Sequence, residues 1–114
     1  MALFAGKNLA ATGKSQAEID SLLTVLPKAK EDTNKVKLLT ELIYAHLNYK
    51  TEEGLRFVKP ALELSEKLNW RIHNVKYMAG QLYWRLNKFD EALKYHFDAL
   101  KIAEAKKILG KHNC

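Results

Sequence analysis

A 38-residue internal repeat is the feature of this sequence that most restricts its fold. At this spacing Glu53-Gly54-Leu55 aligns with Glu91-Ala92-Leu93, and Ala61-Leu62-Glu63-Leu64 aligns with Ala99-Leu100-Lys101-Ile102. Acidic, small and aliphatic residues keep their positions, so the match indicates a repeated structural unit rather than a shared helical period. Units of this kind bury their apolar faces by stacking on one another. The repeat therefore predicts stacked helix pairs.

Composition agrees with a single all-α domain. The chain has 114 residues, 47% of them hydrophobic, and only five Gly and two Pro. No apolar run reaches the roughly 18 residues needed to span a membrane. The start has no positive cluster followed by a long apolar block, so the sequence has no clear signal peptide, and both cytoplasm and periplasm stay open. The single cysteine, Cys114, has no partner for an internal disulfide.

The predicted order is a flexible leader over 1–14 followed by one helical domain over 15–114. Ser15 and Glu18 form a capping-box pattern, in which each side chain reaches an early backbone amide of the same helix. Apolar residues follow at helical spacing, which predicts a leading helix over 15–30.

Two helix hairpins are predicted to follow, over 34–69 and 71–107, which brings the total to five helices. Asn69 separates the hairpins, and Asn87 marks the turn inside the second one. Pro60 lies within the predicted second helix of the first hairpin. Because proline removes a backbone hydrogen bond from a helix interior, we expect a bend there.

The second hairpin resembles the tetratricopeptide repeat, a unit of two packed helices. The matching positions are Ala79-Gly80, Tyr83, Ala92 and Ala99-Leu100. The first hairpin matches more loosely, through Leu42, Ala45, Gly54 and Ala61-Leu62. Glu66 and Glu104 replace the closing Pro of the family, and the period exceeds the family's roughly 34 residues. In this the chain resembles the extended repeats in the N-terminal region of bacterial sensor histidine kinases.

The resemblance implies a right-handed α-solenoid fragment built from antiparallel helix hairpins. It further implies a non-catalytic scaffold for protein–protein interaction, as a segment of a larger bacterial signalling protein. Solenoid ends normally carry a polar capping helix, and none follows the last predicted helix. We therefore expect the chain to be a fragment, or to self-associate through its C-terminal hairpin.

In that family, the first helix of each hairpin forms most of a concave binding face. Carried over by position, the resemblance implies the partner-binding residues Ile43, His46, Leu47, Asn74, Tyr77, Gln81, Trp84 and Arg85. For the two aromatics an alternative stays open, since large aromatic side chains often pack inside the protein. Residues 71–114 carry nine basic and four acidic residues, so the expected partner is an acidic or amphipathic protein segment.

The net charge of +6 gives a second hypothesis, a small basic adaptor that binds nucleic acid. In that hypothesis Arg71, Arg85 and Lys94 contact phosphates while Tyr77 and Trp84 stack on bases. The simpler interpretation is that basic residues gather near a helix C-terminus, where the helix dipole stabilises them.

No catalytic or metal-binding pattern supports an enzyme. Gly13-Lys14-Ser15 resembles the end of a phosphate-binding loop, but the glycine required five residues before Gly13 is replaced by Asn8. The four histidines show no ligand-like spacing. We therefore expect no enzymatic activity, no cofactor and no metal.

Overall fold

The computed structural model describes residues 16–113, and the side-chain surroundings of residues 16–107. This part of the chain contains five α-helices and no β-strand. The helices are α1 (Gln16–Val25), α2 (Thr33–Ala45), α3 (Val58–Leu68), α4 (Ile72–Arg85) and α5 (Phe89–Asn113), with 3-10 helices over Leu26–Lys28 and Thr51–Phe57. The predicted all-α class with five helices is confirmed. The predicted leader and Ser15 lie outside the described residues.

Capping residues set the ends of three helices. Asp32 precedes α2, and its carboxylate accepts hydrogen bonds from the backbone N–H of Asn34 at 3.0 Å and of Lys35 at 3.3 Å. Asn69 ends α3 in the left-handed conformation, with φ at 49°. Asn87 does the same between α4 and α5, with φ at 62°. Asparagine tolerates this conformation better than most residues, which explains both breaks.

The predicted position of Pro60 in the interior of an α-helix is wrong, because α3 begins only at Val58. Pro60 therefore lies in the first turn of α3, where backbone N–H groups have no partner inside the helix. The preceding Thr51–Phe57 forms a 3-10 helix instead of the first turns of a longer α-helix. The proline therefore lies near the start of an α-helix rather than in its interior.

Two other helix ends differ from the predicted ones. The α-helical part of the leading segment stops at Val25, and Pro27 lies in the 3-10 helix that follows. At the other end α5 continues to Asn113, beyond the predicted limit at residue 107. Lys107 occupies the repeat position of Asn69 but lacks asparagine's tolerance of the left-handed conformation. The stop signal of the first hairpin is therefore missing from the second.

The hydrophobic core lies where α2, α3 and α4 meet. Its most completely buried large side chains are Ile19, Val36, Leu39, Leu42, Ile43, Val75 and Leu82. In the described part of the chain α4 packs against α2, α3, the second 3-10 helix and α5, whereas α5 packs against α4 alone. The core is therefore centred on α4. Helix α5 lies at the edge of the described domain, where it packs on α4.

Gly54 permits a close contact inside this core. A Cβ at this position would lie 2.8 Å from Cβ of His46 and 3.1 Å from Cδ1 of Leu82. The repeat places Ala92 at the equivalent position, and it is fully buried. Small residues at this repeat position let the second helical segment of each hairpin approach the first.

Candidate partner-binding surface

Three of the sequence-predicted binding residues belong to the hydrophobic core. Ile43, His46 and Leu47 have exposed fractions of 0%, 3% and 7%. The imidazole of His46 stacks on Phe57 with ring centroids 5.8 Å apart, and its Nδ1 lies 3.1 Å from the backbone oxygen of Tyr49. α2 is covered by α3, α4 and the second 3-10 helix. These three side chains are therefore core residues rather than groove residues.

The other five predicted residues share the outer side of α4. Asn74 and Gln81 are partly buried, while Tyr77, Trp84 and Arg85 are exposed. Arg85 donates a hydrogen bond to the side-chain oxygen of Asn48, in the segment that follows α2. The structure thus brings this half of the predicted set together on one surface.

Large exposed apolar side chains cluster on α4 and α5. We define the α4–α5 face by Tyr77, Trp84, Phe89, Leu93, Phe97 and Leu100, whose exposed fractions lie between 46% and 59%. Only two other large apolar residues of the described chain are exposed to this degree, Val25 and Tyr44. Apolar patches of this kind on soluble proteins mark interaction surfaces.

Four members of this face were not among the sequence-predicted site residues. Phe89, Leu93, Phe97 and Leu100 follow one another at spacings of four, four and three, which places them within about 80° on the surface of α5. The side of α5 that contacts α4 carries Ala92 and Ala99 instead. This spacing in the sequence could therefore have predicted a second apolar stripe on α5, separate from the side that packs against α4.

A cleft of about 500 Å³ runs along the α4–α5 face. It is lined by His73, Asn74, Tyr77, His96, Ala99, Leu100 and Ala103. Nδ1 of His73 and Nε2 of His96 are shielded from solvent and have no hydrogen-bond partner among the described residues. The phenol of Tyr77 packs at a tilt on the His96 imidazole, with centroids 5.4 Å apart. The lining thus combines small apolar residues with two imidazoles.

Aromatic pairs fix the geometry of the face. Trp84 meets Phe89 edge to face, with centroids 4.7 Å apart, across the turn between α4 and α5. Tyr83 stacks on Tyr95 at 5.4 Å on the opposite side of the hairpin. Burial raises the pKa of Tyr95 above its ordinary value of 10.0, and the nearby Tyr83 and Asp98 raise it further. These contacts hold α4 and α5 at a fixed distance, so the intramolecular packing of the two helices determines the shape of the cleft.

Two residues of the α4–α5 face and two of the cleft lining have buried equivalents in the first hairpin. The equivalents of Tyr77, Trp84, His96 and Ala103 are Leu39, His46, Val58 and Ser65, all of which are buried. In the first hairpin α4 lies over α2 and α3. In the second, no described element lies over α5 besides α4 itself. The cleft, with Tyr77 and Trp84 beside it, is therefore the counterpart of a surface that α4 covers in the first hairpin. The apolar stripe of α5 is not, because the equivalents of Phe89, Leu93 and Leu100 are only partly buried and the equivalent of Phe97 is the exposed Lys59.

The basic side chains proposed for nucleic-acid binding are divided between different contacts. The Arg71 guanidinium lies 4.6 Å from the ring centroid of Trp70. Arg85 is hydrogen-bonded to Asn48. Lys94, the third of these basic residues, is exposed on α5. These contacts do not gather the basic groups around Tyr77 and Trp84.

Within residues 16–113, no group of three or more His, Cys, Asp or Glu side chains is arranged to hold a metal ion. Over the same range, no helix combines the length and the apolarity required to cross a bilayer. Comparisons with protein-family models, with curated proteins and with solved structures find no match to this chain.

Proposed function

We propose that this chain is a non-catalytic protein-interaction scaffold whose α4–α5 face binds the apolar side of a partner helix. The observation that carries the proposal is the contrast between the hairpins at Tyr77 and Trp84, which are half exposed, whereas their first-hairpin equivalents Leu39 and His46 are buried. The exposed apolar stripe of α5 extends this open surface. The resemblance to extended tetratricopeptide repeats supports a stacked solenoid arrangement and a role in a larger bacterial signalling protein.

Burial of the face contributes favourable free energy to binding. Full burial of a Leu or Phe side chain contributes about 1.5–3 kcal/mol, so each half-exposed member of the face gains roughly 1 kcal/mol when covered. Six such side chains contribute roughly 6 kcal/mol. The apolar side chains of the partner must supply the rest, because association costs about 4–15 kcal/mol in lost translational and rotational freedom, besides side-chain ordering. Tyr77 and Trp84 are also of the residue types that dominate interface energetics.

The partner's shape follows from the helix that covers the first hairpin. α4 presents Val75, Ala79 and Leu82 to the core, a spacing of i, i+4 and i+7. A helix with apolar residues at this spacing fits a groove between two helices. Because residues 71–114 carry nine basic and four acidic residues, acidic residues beside the apolar stripe strengthen the encounter.

A labelled synthetic peptide spanning residues 71–86, the α4 segment, tests this function by fluorescence anisotropy with the intact chain. We expect saturable binding that weakens at least tenfold when Phe97→Lys is introduced into the chain, since Phe97 is well exposed on the face. Val25→Lys is the matched control, because Val25 is an equally exposed apolar residue on α1. A peptide with Glu in place of Arg71, Lys76 and Arg85 should bind more tightly.

The peptide with Val75→Asp and Leu82→Asp serves as the negative control, because it keeps the length but loses the apolar side. Absence of binding by the unmodified peptide and its Glu version, or binding that Phe97→Lys leaves unchanged, would remove the support for helix capture by this face.

A further inference from the structure

We propose that a second copy of this chain covers the α4–α5 face, with the two α5 helices packed antiparallel about a two-fold axis. This inference rests on the proposed function and names its partner. It follows from three features of α5: the spacing of its open apolar stripe, the symmetry of that stripe, and the charges beside it.

The open stripe of α5 has the spacing of the helix that covers the first hairpin. Leu93, Phe97 and Leu100 stand at i, i+4 and i+7, as Val75, Ala79 and Leu82 do on α4. α4 follows α3 after a short turn and packs against it, so the two run antiparallel. The α5 helix of a second copy, running antiparallel to α5, therefore presents its apolar side to α5 in the same relative direction as α4 presents its own to α3.

The stripe is self-complementary under a two-fold rotation. An antiparallel crossing centred at the level of Tyr95 places Phe89 opposite Leu100 of the second copy. The same crossing places Leu93 opposite Phe97 of the second copy. The midpoints of the two pairs lie within about one residue of each other along α5, so one two-fold axis relates both pairs. Each aromatic side chain then meets a leucine, and like-sized pairs of large rings are avoided.

Charges on one flank of the stripe obey the same symmetry. Asp90 and Lys101 lie about 20° apart around α5, next to the Phe97 edge and away from α4. A two-fold axis between antiparallel helices keeps each flank on the same side, so Asp90 faces Lys101 of the second copy. The pair forms twice in one dimer. Opposite charges at both ends of the stripe favour this alignment over a shifted or parallel one.

The cleft lies along the other flank of the same stripe. Leu100 belongs to both the stripe and the cleft lining, so Phe89 of the second copy lies at the cleft's edge. The small side chains of Ala99 and Ala103 leave room for that ring. Antiparallel pairing therefore buries the apolar stripe of α5 and also places the Phe89 ring of the second copy at the edge of the cleft.

Sedimentation velocity of the intact chain over a range of concentrations tests the inference. We expect a reversible dimer that Phe97→Lys converts to monomer and Val25→Lys leaves intact. Asp90→Lys or Lys101→Asp alone should weaken dimerisation about tenfold, because each variant places like charges together twice. Combining Asp90→Lys with Lys101→Asp should restore it, because the exchanged charges again face opposite partners. Circular dichroism of each variant checks that helicity is unchanged.

Results that overturn the inference are distinct from results that overturn the proposed function. A chain that stays monomeric while binding the 71–86 peptide keeps helix capture and excludes the second copy as the partner. A dimer insensitive to Phe97→Lys, or a charge exchange that fails to restore association, excludes this α5 pairing. A monomer that binds none of the peptides overturns both.

Discussion

Gly80 and His96 meet so closely where α4 crosses α5 that a Cβ on Gly80 would lie 2.3 Å from Cδ2 of the imidazole. Glycine in a helix interior costs up to about 1 kcal/mol relative to alanine. Here the absence of a side chain lets the ring of His96 approach the backbone of α4. The contact fixes the wall of the cleft, because Tyr77 also packs on this ring.

Gly80→Ala should therefore destabilise the protein by about 1–2 kcal/mol, since the clash outweighs the gain in helix propensity. In the His96→Ala background the sign should reverse, and Gly80→Ala should stabilise by roughly 0.5–1 kcal/mol. Urea denaturation of the four proteins measures this cycle. Equal effects of Gly80→Ala in both backgrounds would show that the ring does not occupy this space.

Gly54→Ala should be the more costly of the two glycine substitutions. At Gly54 the nearest atom is Cβ of His46, at 2.8 Å, which cannot move without the backbone of that residue. At Gly80 the obstacle is a ring that rotates about its side-chain bonds. We expect Gly54→Ala to lower the free energy of unfolding by about 2–3 kcal/mol. A smaller loss than for Gly80→Ala would contradict the packing described around the second 3-10 helix.

Trp84→Ala distinguishes a surface role from a core role. Because Trp84 is half exposed and pairs edge to face with Phe89, its removal should cost about 1.5–2.5 kcal/mol of stability, from the buried half of the side chain and from the ring pair. Loss of a fully buried Trp costs about 3–5 kcal/mol. Affinity for the 71–86 peptide should fall by about 2 kcal/mol if Trp84 anchors the partner. Thermal melting and anisotropy on this one variant separate the two quantities, and unchanged affinity would exclude Trp84 as an anchor.

Stability should fall at alkaline pH in a way that depends on Tyr95. Its pKa is raised above 10.0 in the folded state by burial, by Tyr83 and by Asp98. Above pH 10.0 the unfolded chain therefore loses this proton first, which favours unfolding as the pH rises through the folded-state pKa. Tyr95→Phe should flatten the fall in urea midpoint between about pH 9 and pH 11. An identical slope in both proteins would show that Tyr95 does not contribute.

Asp32→Ala should cost about 1 kcal/mol by removing the cap of α2. Its carboxylate accepts from the amides of Asn34 and Lys35, and α2 carries much of the core. Asp32→Asn should retain most of the stability, because asparagine caps helices about as well as aspartate. Equal melting temperatures for the Ala and Asn variants would indicate that the cap contributes little.

Local signals in the sequence determined much of the secondary structure. The repeat and the apolar spacing predicted five helices, and Asn69 and Asn87 marked two of the breaks because their preference for the left-handed conformation is intrinsic to the residue. The prediction that Pro60 lies in a helix interior was wrong. Whether a proline lies inside a helix or near its start depends on where the preceding segment changes from 3-10 helix to α-helix.

The tertiary structure alone decided which repeat positions are buried. His46 and Trp84 stand at the same position of the repeat, yet His46 is in the core and Trp84 is half exposed. Both positions lie at the end of the first helix of a hairpin, His46 directly after the last residue of α2 and Trp84 in the last turn of α4. The difference arises because α4 covers the first hairpin, whereas the described chain places no helix over the second. Burial depends on what packs from outside the repeat, so the sequence determined the helices and their breaks, and the packing of α4 decided which of their faces remain open to a partner.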